Sequence, residues 1–222
     1  MDSDSINTLR AEQLDSYGRL LAGFSHEMKN HMGVIRESSG LLQDLVAMHG
    51  AHLDEQVRTR LEKATAMIEE RVKTTAQMLH HLSGFAHRSD VACSAFQPGQ
   101  VVEELCMFLQ RFARLSKCEL AWRTEPGAIS IHNDPSLLHH LLYRLFALVQ
   151  ERFEPGDSLL IETGADDGQA MICFYYRGAP ATQLNLPEEL NLPLALLQGS
   201  CVIEKRDGGH EIRVRIPSLP LA

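Results

Sequence analysis

Every proline of this chain lies in its second part: none occurs before Pro98, and all nine are found from there on. Proline lacks a backbone donor and clashes with the preceding helical turn. Its absence leaves the first part free to run as long helices, whereas the second part is punctuated. Within the proline-free part, apolar residues keep a heptad rhythm through Leu14, Tyr17, Leu21, Phe24, Met28, Ile35, Leu42 and Leu45. His31 and Ser38 interrupt the stripe midway. The pattern relaxes at Met48–His52, where Gly50 is a helix stop. It resumes as Val57, Leu61, Ala64, Ile68, Thr75, Met78, Leu82 and Phe85. The spacing predicts two antiparallel helices of about 35–40 residues each, joined by a short turn. A hairpin with one apolar stripe per helix cannot bury both stripes by itself. Two copies can, as a dimeric four-helix bundle. The other possible cover is the second half of the same chain, although each helix is longer than that half could readily cover.

The stretch Phe24-Ser25-His26-Glu27-Met28-Lys29-Asn30 divides into two faces. His26 and Asn30 are one turn apart and share a side. Phe24 and Met28 form a second such pair, about 160° away at roughly 100° per residue. One face is suited to burial, and the other sets an imidazole beside a carboxamide, opposite the apolar seam. An imidazole on a rigid exposed helix serves as a nucleophile or a proton carrier.

Composition excludes several classes. The net charge of −8, with no local Lys/Arg cluster, argues against a nucleic-acid binder that neutralises phosphates. No apolar run reaches the roughly 20 residues that span a bilayer, and Met1-Asp2-Ser3-Asp4 has no signal-peptide pattern. The expectation is a cytoplasmic protein with no membrane partner. Cys93, Cys106, Cys118, Cys173 and Cys201 are scattered, odd in number and never spaced as CxxC. They read as reduced structural thiols. His80-His81 with His87, and His139-His140, diverge by about 100° per residue on a helix and lack supporting ligands, so no metal site is expected.

Beyond a joint at Ser89–Ala95 the pattern becomes mixed. Phe96-Gln97-Pro98-Gly99 leads into a helix carrying Val101, Val102, Leu105, Phe108, Leu109 and Phe112. Strand-like runs at Cys118–Arg123 and Ala128–His132 flank a turn at Pro126-Gly127. Asp134-Pro135 opens a helix to about Phe153. Ser158–Thr163 and Ala170–Tyr176 form a hairpin around Asp166-Asp167-Gly168. A short helix over Leu190–Leu197 precedes a last hairpin, Cys201–Lys205 with Glu211–Ile216, turned at Asp207-Gly208-Gly209. The fold class is therefore α+β: a helical hairpin over residues 1–90, then an α/β sandwich over residues 95–222 with helices on one face of a mixed sheet.

The Phe24–Asn30 segment resembles the phosphoacceptor motif of two-component sensor histidine kinases, F-S-H-E-x-[KR]-[NT], set on the first helix of a dimerising hairpin. The resemblance implies that His26 accepts a phosphoryl group and exchanges it with an aspartate on a response-regulator receiver domain. It further implies that Glu27 holds the proton of the other ring nitrogen and that Asn30 positions water for dephosphorylation of the regulator. Ser25, Lys29, Gly33 and Arg36 would meet the partner. The proline that often follows the motif is replaced by His31.

The second half resembles the ATP-binding domain that follows the hairpin in that family. Asp134, Leu137 or Leu138, Leu141 or Leu142, and Leu145 keep the frame of its asparagine-bearing helix, but the two asparagine positions read Arg144 and Leu148. Leucine cannot ligate magnesium, which takes oxygen. The acidic adenine-reading loop has only Tyr176-Arg177-Gly178-Ala179-Pro180 as its counterpart, with no acid. The glycine-rich segment reads Asn191-Leu192-Pro193-Leu194-Ala195-Leu196, without the glycines that admit phosphates. The interval between these segments leaves little room for a lid. The expectation is a dimeric histidine phosphotransferase with a degenerate ATP-binding domain and no cofactor of its own, Mg²⁺ being expected on the receiver. A regulator phosphatase is a close variant. The alternatives are a non-enzymatic pseudokinase adaptor that blocks a kinase or regulator, and an active sensor kinase.

Overall fold

The computed structural model describes residues 3–88, 93–125, 129–178, 184–206 and 208–220, with side chains described from Gly18 onward except Arg19, Leu20 and Ala22. The chain divides into two compact units, Met1–His87 and Arg88–Ala222. Parts of the expected joint at Ser89–Ala95, the Pro126-Gly127 turn, Ala128, Ala179-Pro180 and Asp207 lie outside the described residues, as do the side chains of Leu14 and Tyr17.

The first unit is a helical hairpin. Helix α1 runs Ser3–His49, a 3-10 turn follows at Gly50–His52, and α2 runs Glu55–His87. Asp54 starts α2 by accepting the backbone N–H of Gln56 at 2.9 Å. The apolar stripes are not the seam inside this hairpin. Phe24 is 55% exposed and Met48 73%, and Ile35, Leu42, Leu45, Val57, Leu61, Ile68 and Met78 are also exposed. The two helices meet instead along smaller residues spaced by seven. On α1, Gly18, Ser25 and Ser39 are buried, and on α2, Thr65, Val72, Leu79 and Ala86. Two hydrogen bonds fix the register: Ser25 Oγ donates to the Leu79 carbonyl at 2.6 Å, and Ser39 Oγ to the Thr65 carbonyl at 3.4 Å. The small residues of this seam lie on α1, against Thr65 and Leu79 of α2, and the bulky residues of the stripes are left facing outward. The apolar stripe therefore belongs to a second surface.

The second unit is an α/β sandwich. Its elements are β1 Ser94–Phe96, α3 Pro98–Leu115, β2 Glu119–Thr124, β3 Ile131–Asn133, α4 Pro135–Gln150, β4 Ser158–Asp166, β5 Gln169–Arg177, α5 Asn191–Leu196, β6 Ser200–Arg206 and β7 Gly209–Ile216. The main sheet has the order β2-β4-β5-β7-β6. All neighbours are antiparallel except β2 and β4. The two runs either side of Pro126-Gly127 do not pair with each other: β2 lies parallel to β4, whereas β3 pairs with β1. Strand β1 is too short, and its Ser94-Ala95-Phe96 too plain in β propensity, to stand out in the sequence.

Alternation along the strands sorts the two faces. Leu159, Ile161, Ile172, Phe174, Ile212 and Val214 point into a core closed by Val101, Leu105 and Leu109 of α3 and Leu138, Leu141 and Leu145 of α4. Burying each such side chain contributes about 1.5–3 kcal/mol. The opposite face carries Arg123, Glu162, Tyr175, Glu211 and Arg213. Glu211 is buried there between Arg206 and Arg213, both within hydrogen-bonding reach.

Local chemistry sets the boundaries. Pro98 and Pro135 sit at the first turns of α3 and α4, and Asp134 caps α4 by accepting the Leu137 N–H at 2.8 Å. Asp167 and Gly168, at φ 50 and 75, make the tight turn between β4 and β5. The buried Asn133 donates to the carbonyls of Leu197 and Pro217, tying β3 to the end of α5 and to the C-terminal segment.

Arg88 forms a bidentate pair with Glu104 of α3, and both side chains are largely buried. Nearby His139 is pushed down to about 4, chiefly by burial and then by the charges of Arg88 and His140. The unfolded chain thus takes up a proton near pH 6.5 that the folded chain refuses until about pH 4. This contribution to stability is complete above about 6.5 and fades as pH falls towards 4, by about 3 kcal/mol in all. Urea unfolding at pH 7 and pH 4.5 should show that loss in the wild type and a smaller one in His139→Gln.

Candidate functional site

Ser25 is fully buried against α2, and the helical step of about 100° then carries the next side chain, His26, to the exposed surface. The 2.6 Å bond from Ser25 to Leu79 fixes the rotation of α1 at this point. Ser25, expected on the partner-facing surface, is thus turned into the hairpin, where it positions its neighbour. Replacing it with alanine should cost about 1 kcal/mol. Urea unfolding of the full chain reads that cost.

His26, Asn30 and Gly33 follow at i, i+4 and i+7, so they share one face. His26 and Asn30 are exposed and Gly33 is half-buried. A Cβ built on Gly33 meets nothing within 4 Å, so open space lies beside the backbone there. Lys29 is half-buried and Arg36 exposed on the same side of the helix. The Glu27 carboxylate is exposed and lies 4.0 Å from His31 Nε2, one turn on, rather than against His26. A surface pair of this kind contributes little, so the carboxylate is free to move. The face offers a nucleophilic imidazole, a carboxamide one turn away, two cations and a bare strip of backbone.

In the second unit, the residues that the resemblance sets at nucleotide-holding positions make contacts of their own. Arg144 of α4 forms a hydrogen-bonded ion pair with Glu189, which precedes α5. Leu148 packs against the core. The Tyr176 hydroxyl lies 2.7 Å from the Asp157 carboxylate and 2.9 Å from the Arg152 carbonyl. Burial, reinforced by the Asp157 charge, pushes its pKa well up, so it remains a donor. A Cβ on Gly178 would fall 2.2 Å from that hydroxyl. In α5, Pro193 and Leu194 are buried where the motif calls for open glycine backbone. An arginine, a leucine and a tyrosine do not fit Mg-ATP, which needs oxygen ligands and backbone donors free to approach phosphate. Among the described residues no group of three or more His, Cys, Asp or Glu is placed to hold a metal ion, and no helix is long and apolar enough to cross a membrane.

The sequence singled out His26 and its neighbours by motif, but Ser25 as anchor and the seven-residue spacing of small side chains went unread. Gly18, Ser25 and Ser39 carried that signal.

Solved structures were compared with this geometry in hand. The catalytic domain of histidine kinase ThkA, in a nucleotide-free form, matches with a TM-score of 0.50 and 14% identity, covering 58% of this chain and 97% of its own. Histidine kinase AdeS of Acinetobacter baumannii matches with a TM-score of 0.49 and 14% identity, covering 86% of this chain and 97% of its own. ThkA in complex with the response regulator protein TrrA matches with a TM-score of 0.47 and 13% identity, over 94% and 66%. No family model matches the sequence, and no curated protein does. At that identity the likeness to the ThkA catalytic domain, over 58% of this chain, is one of fold.

Proposed function

We propose that this chain is a histidine phosphotransferase of two-component signalling, exchanging a phosphoryl group between His26 and the aspartate of a response-regulator receiver domain. The observation that carries the reading is the exposed His26 ring, held at a fixed rotation of α1 by buried Ser25. The residues that replace the nucleotide ligands support a route that does not pass through ATP.

One ring nitrogen of His26 attacks the phosphorus of the aspartyl phosphate. An N–P bond forms, the P–O bond to the aspartate breaks, and the carboxylate leaves. The proton on the other ring nitrogen passes to Glu27 or to water. The reverse sequence loads a second receiver. Magnesium belongs to the receiver's acidic pocket, where it offsets charge on the transferred group. Lys29 and Arg36 favour an acidic partner, and Gly33 leaves room for its close approach. Asn30, beside His26, is placed to orient water if the same face also hydrolyses the regulator's phosphate.

The exposed stripe supports a homodimer. Two hairpins packed through Ile35, Leu42, Leu45, Leu61 and Ile68 give a four-helix bundle with His26 at its surface.

Two receiver domains distinguishable by mass, one phosphorylated from a small phosphodonor, test the relay. Label should pass to the second receiver only when this chain is present and no nucleotide is added. A chain that leaves both receivers unchanged would be an adaptor. One that only speeds phosphate release would be a phosphatase.

A further inference from the structure

A hollow of about 570 Å³ opens in the second unit between the 184–186 segment and strand β6. That size is within the range of small-molecule sites. Leu184 is buried in it, and Leu186, Cys201 and Ile203 are half-buried, so its inner walls are apolar. Cys201 is pushed up to about 11 by burial, so its thiol is a neutral wall group and no nucleophile.

Polar character is confined to three side chains. His210, only 4% exposed, lines the hollow, and its Nδ1 is buried without a hydrogen-bond partner. Burial, then the charges of Lys205 and Arg152, lowers its pKa, so the ring is neutral and able to donate or accept. Lys205 faces His210 directly across the β6–β7 pairing, is exposed at the rim, and makes no ion pair with a described residue. Asn185 stands exposed beside it. A buried nitrogen left without a partner is costly, and a ligand atom there recovers that cost.

We propose that this hollow binds a small organic anion with a ring-sized apolar body, its carboxylate on Lys205 and Asn185 and its body between Leu186 and Ile203. The site needs no magnesium and stands apart from the chemistry of His26. His210 closes the wall beside Lys205, where its Nδ1 donates to the same carboxylate. Binding is governed by one charge at the rim and one apolar slot below it. Occupancy would couple β6 to the 184–186 segment, which no sheet hydrogen bond does.

Sodium 2-naphthoate serves as the probe, titrated into the full chain carrying ¹³C-labelled histidine. The His210 resonance, identified by its loss in His210→Gln, should shift saturably. Lys205→Gln should weaken binding about tenfold or more, and Lys205→Arg should largely keep it. The neutral 2-naphthamide should bind about tenfold more weakly than the acid. Lys205 is exposed, so these variants leave the core intact. Four results would each overturn the assignment: no saturable shift at His210, equal binding of the amide, undiminished binding by Lys205→Gln, or displacement of naphthoate by Mg-ATP.

Discussion

His26→Gln is expected to lose phosphoryl exchange with a receiver domain by about a thousandfold or more, because glutamine offers no ring nitrogen to form the N–P bond. The side chain is exposed and touches nothing in the core, so the midpoint of urea unfolding should stay unchanged. Loss of transfer with unaltered stability separates a reacting residue from a structural one. Asn30→Ala is the companion variant. It should leave transfer close to wild type while slowing any dephosphorylation of the regulator, since the carboxamide's part is to hold water. If His26→Gln transferred normally, His26 would be excluded as the acceptor; if neither chain transferred, the adaptor reading would stand. Acid lability and base stability of the label identify the bond.

The second large effect is on assembly. Ile35→Glu with Leu42→Glu should convert a dimer into monomers, measured by sedimentation equilibrium. In a two-fold bundle the pair removes four buried side chains, each worth about 1.5–3 kcal/mol. A loss of about 6 kcal/mol raises the dissociation constant by about four powers of ten. The hairpin itself should persist as helix, because its internal seam runs through Ser25, Ser39, Thr65 and Leu79 and not through the stripe. A wild-type chain that sediments as a monomer, or a variant that stays dimeric, would contradict the bundle. Both residues are exposed in the single chain, so neither substitution opens a cavity.

These two predictions rest on features of different legibility. The proline-free opening and its heptads announced two long helices, and α1 and α2 are there. Which face of each helix meets the other was not readable by hydrophobicity, because the hairpin sets Gly18, Ser25 and Ser39 of one helix in the seam with Thr65, Val72, Leu79 and Ala86 of the other. The cost of burying the two serines is met by bonds to backbone carbonyls, a geometry that appears only once both helices are placed. In the second unit, turn chemistry was the better guide. Asp167-Gly168 and Asp134-Pro135 stand at the expected hairpin turn and helix start. Strand pairing was less legible, since β2 and β3 are consecutive in sequence but belong to different sheets. A parallel partner such as β4 lies far along the chain, and no local signal marks it.

The candidate site shows the same division. His26, Glu27 and Asn30 stood out by residue type and spacing, and two of them share the exposed face that spacing implies. The replacements at Arg144, Leu148 and Tyr176 were legible as losses, but not what each side chain does instead. Arg144 reaches Glu189, and Tyr176 reaches Asp157. Such partners come from distant segments, so only the folded chain reveals them. The hollow at Lys205 and His210 was invisible for that reason: strand pairing sets the two residues side by side, and the 184–186 segment supplies the other wall.

The most direct test is a nucleotide-free time course with the purified chain and a receiver domain phosphorylated from a small phosphodonor. The account predicts acid-labile, base-stable label on the wild-type chain, absent from His26→Gln, with no saturable binding of Mg-ATP in a parallel titration. Saturable Mg-ATP binding followed by autophosphorylation of His26, with no label taken from the receiver, would contradict it.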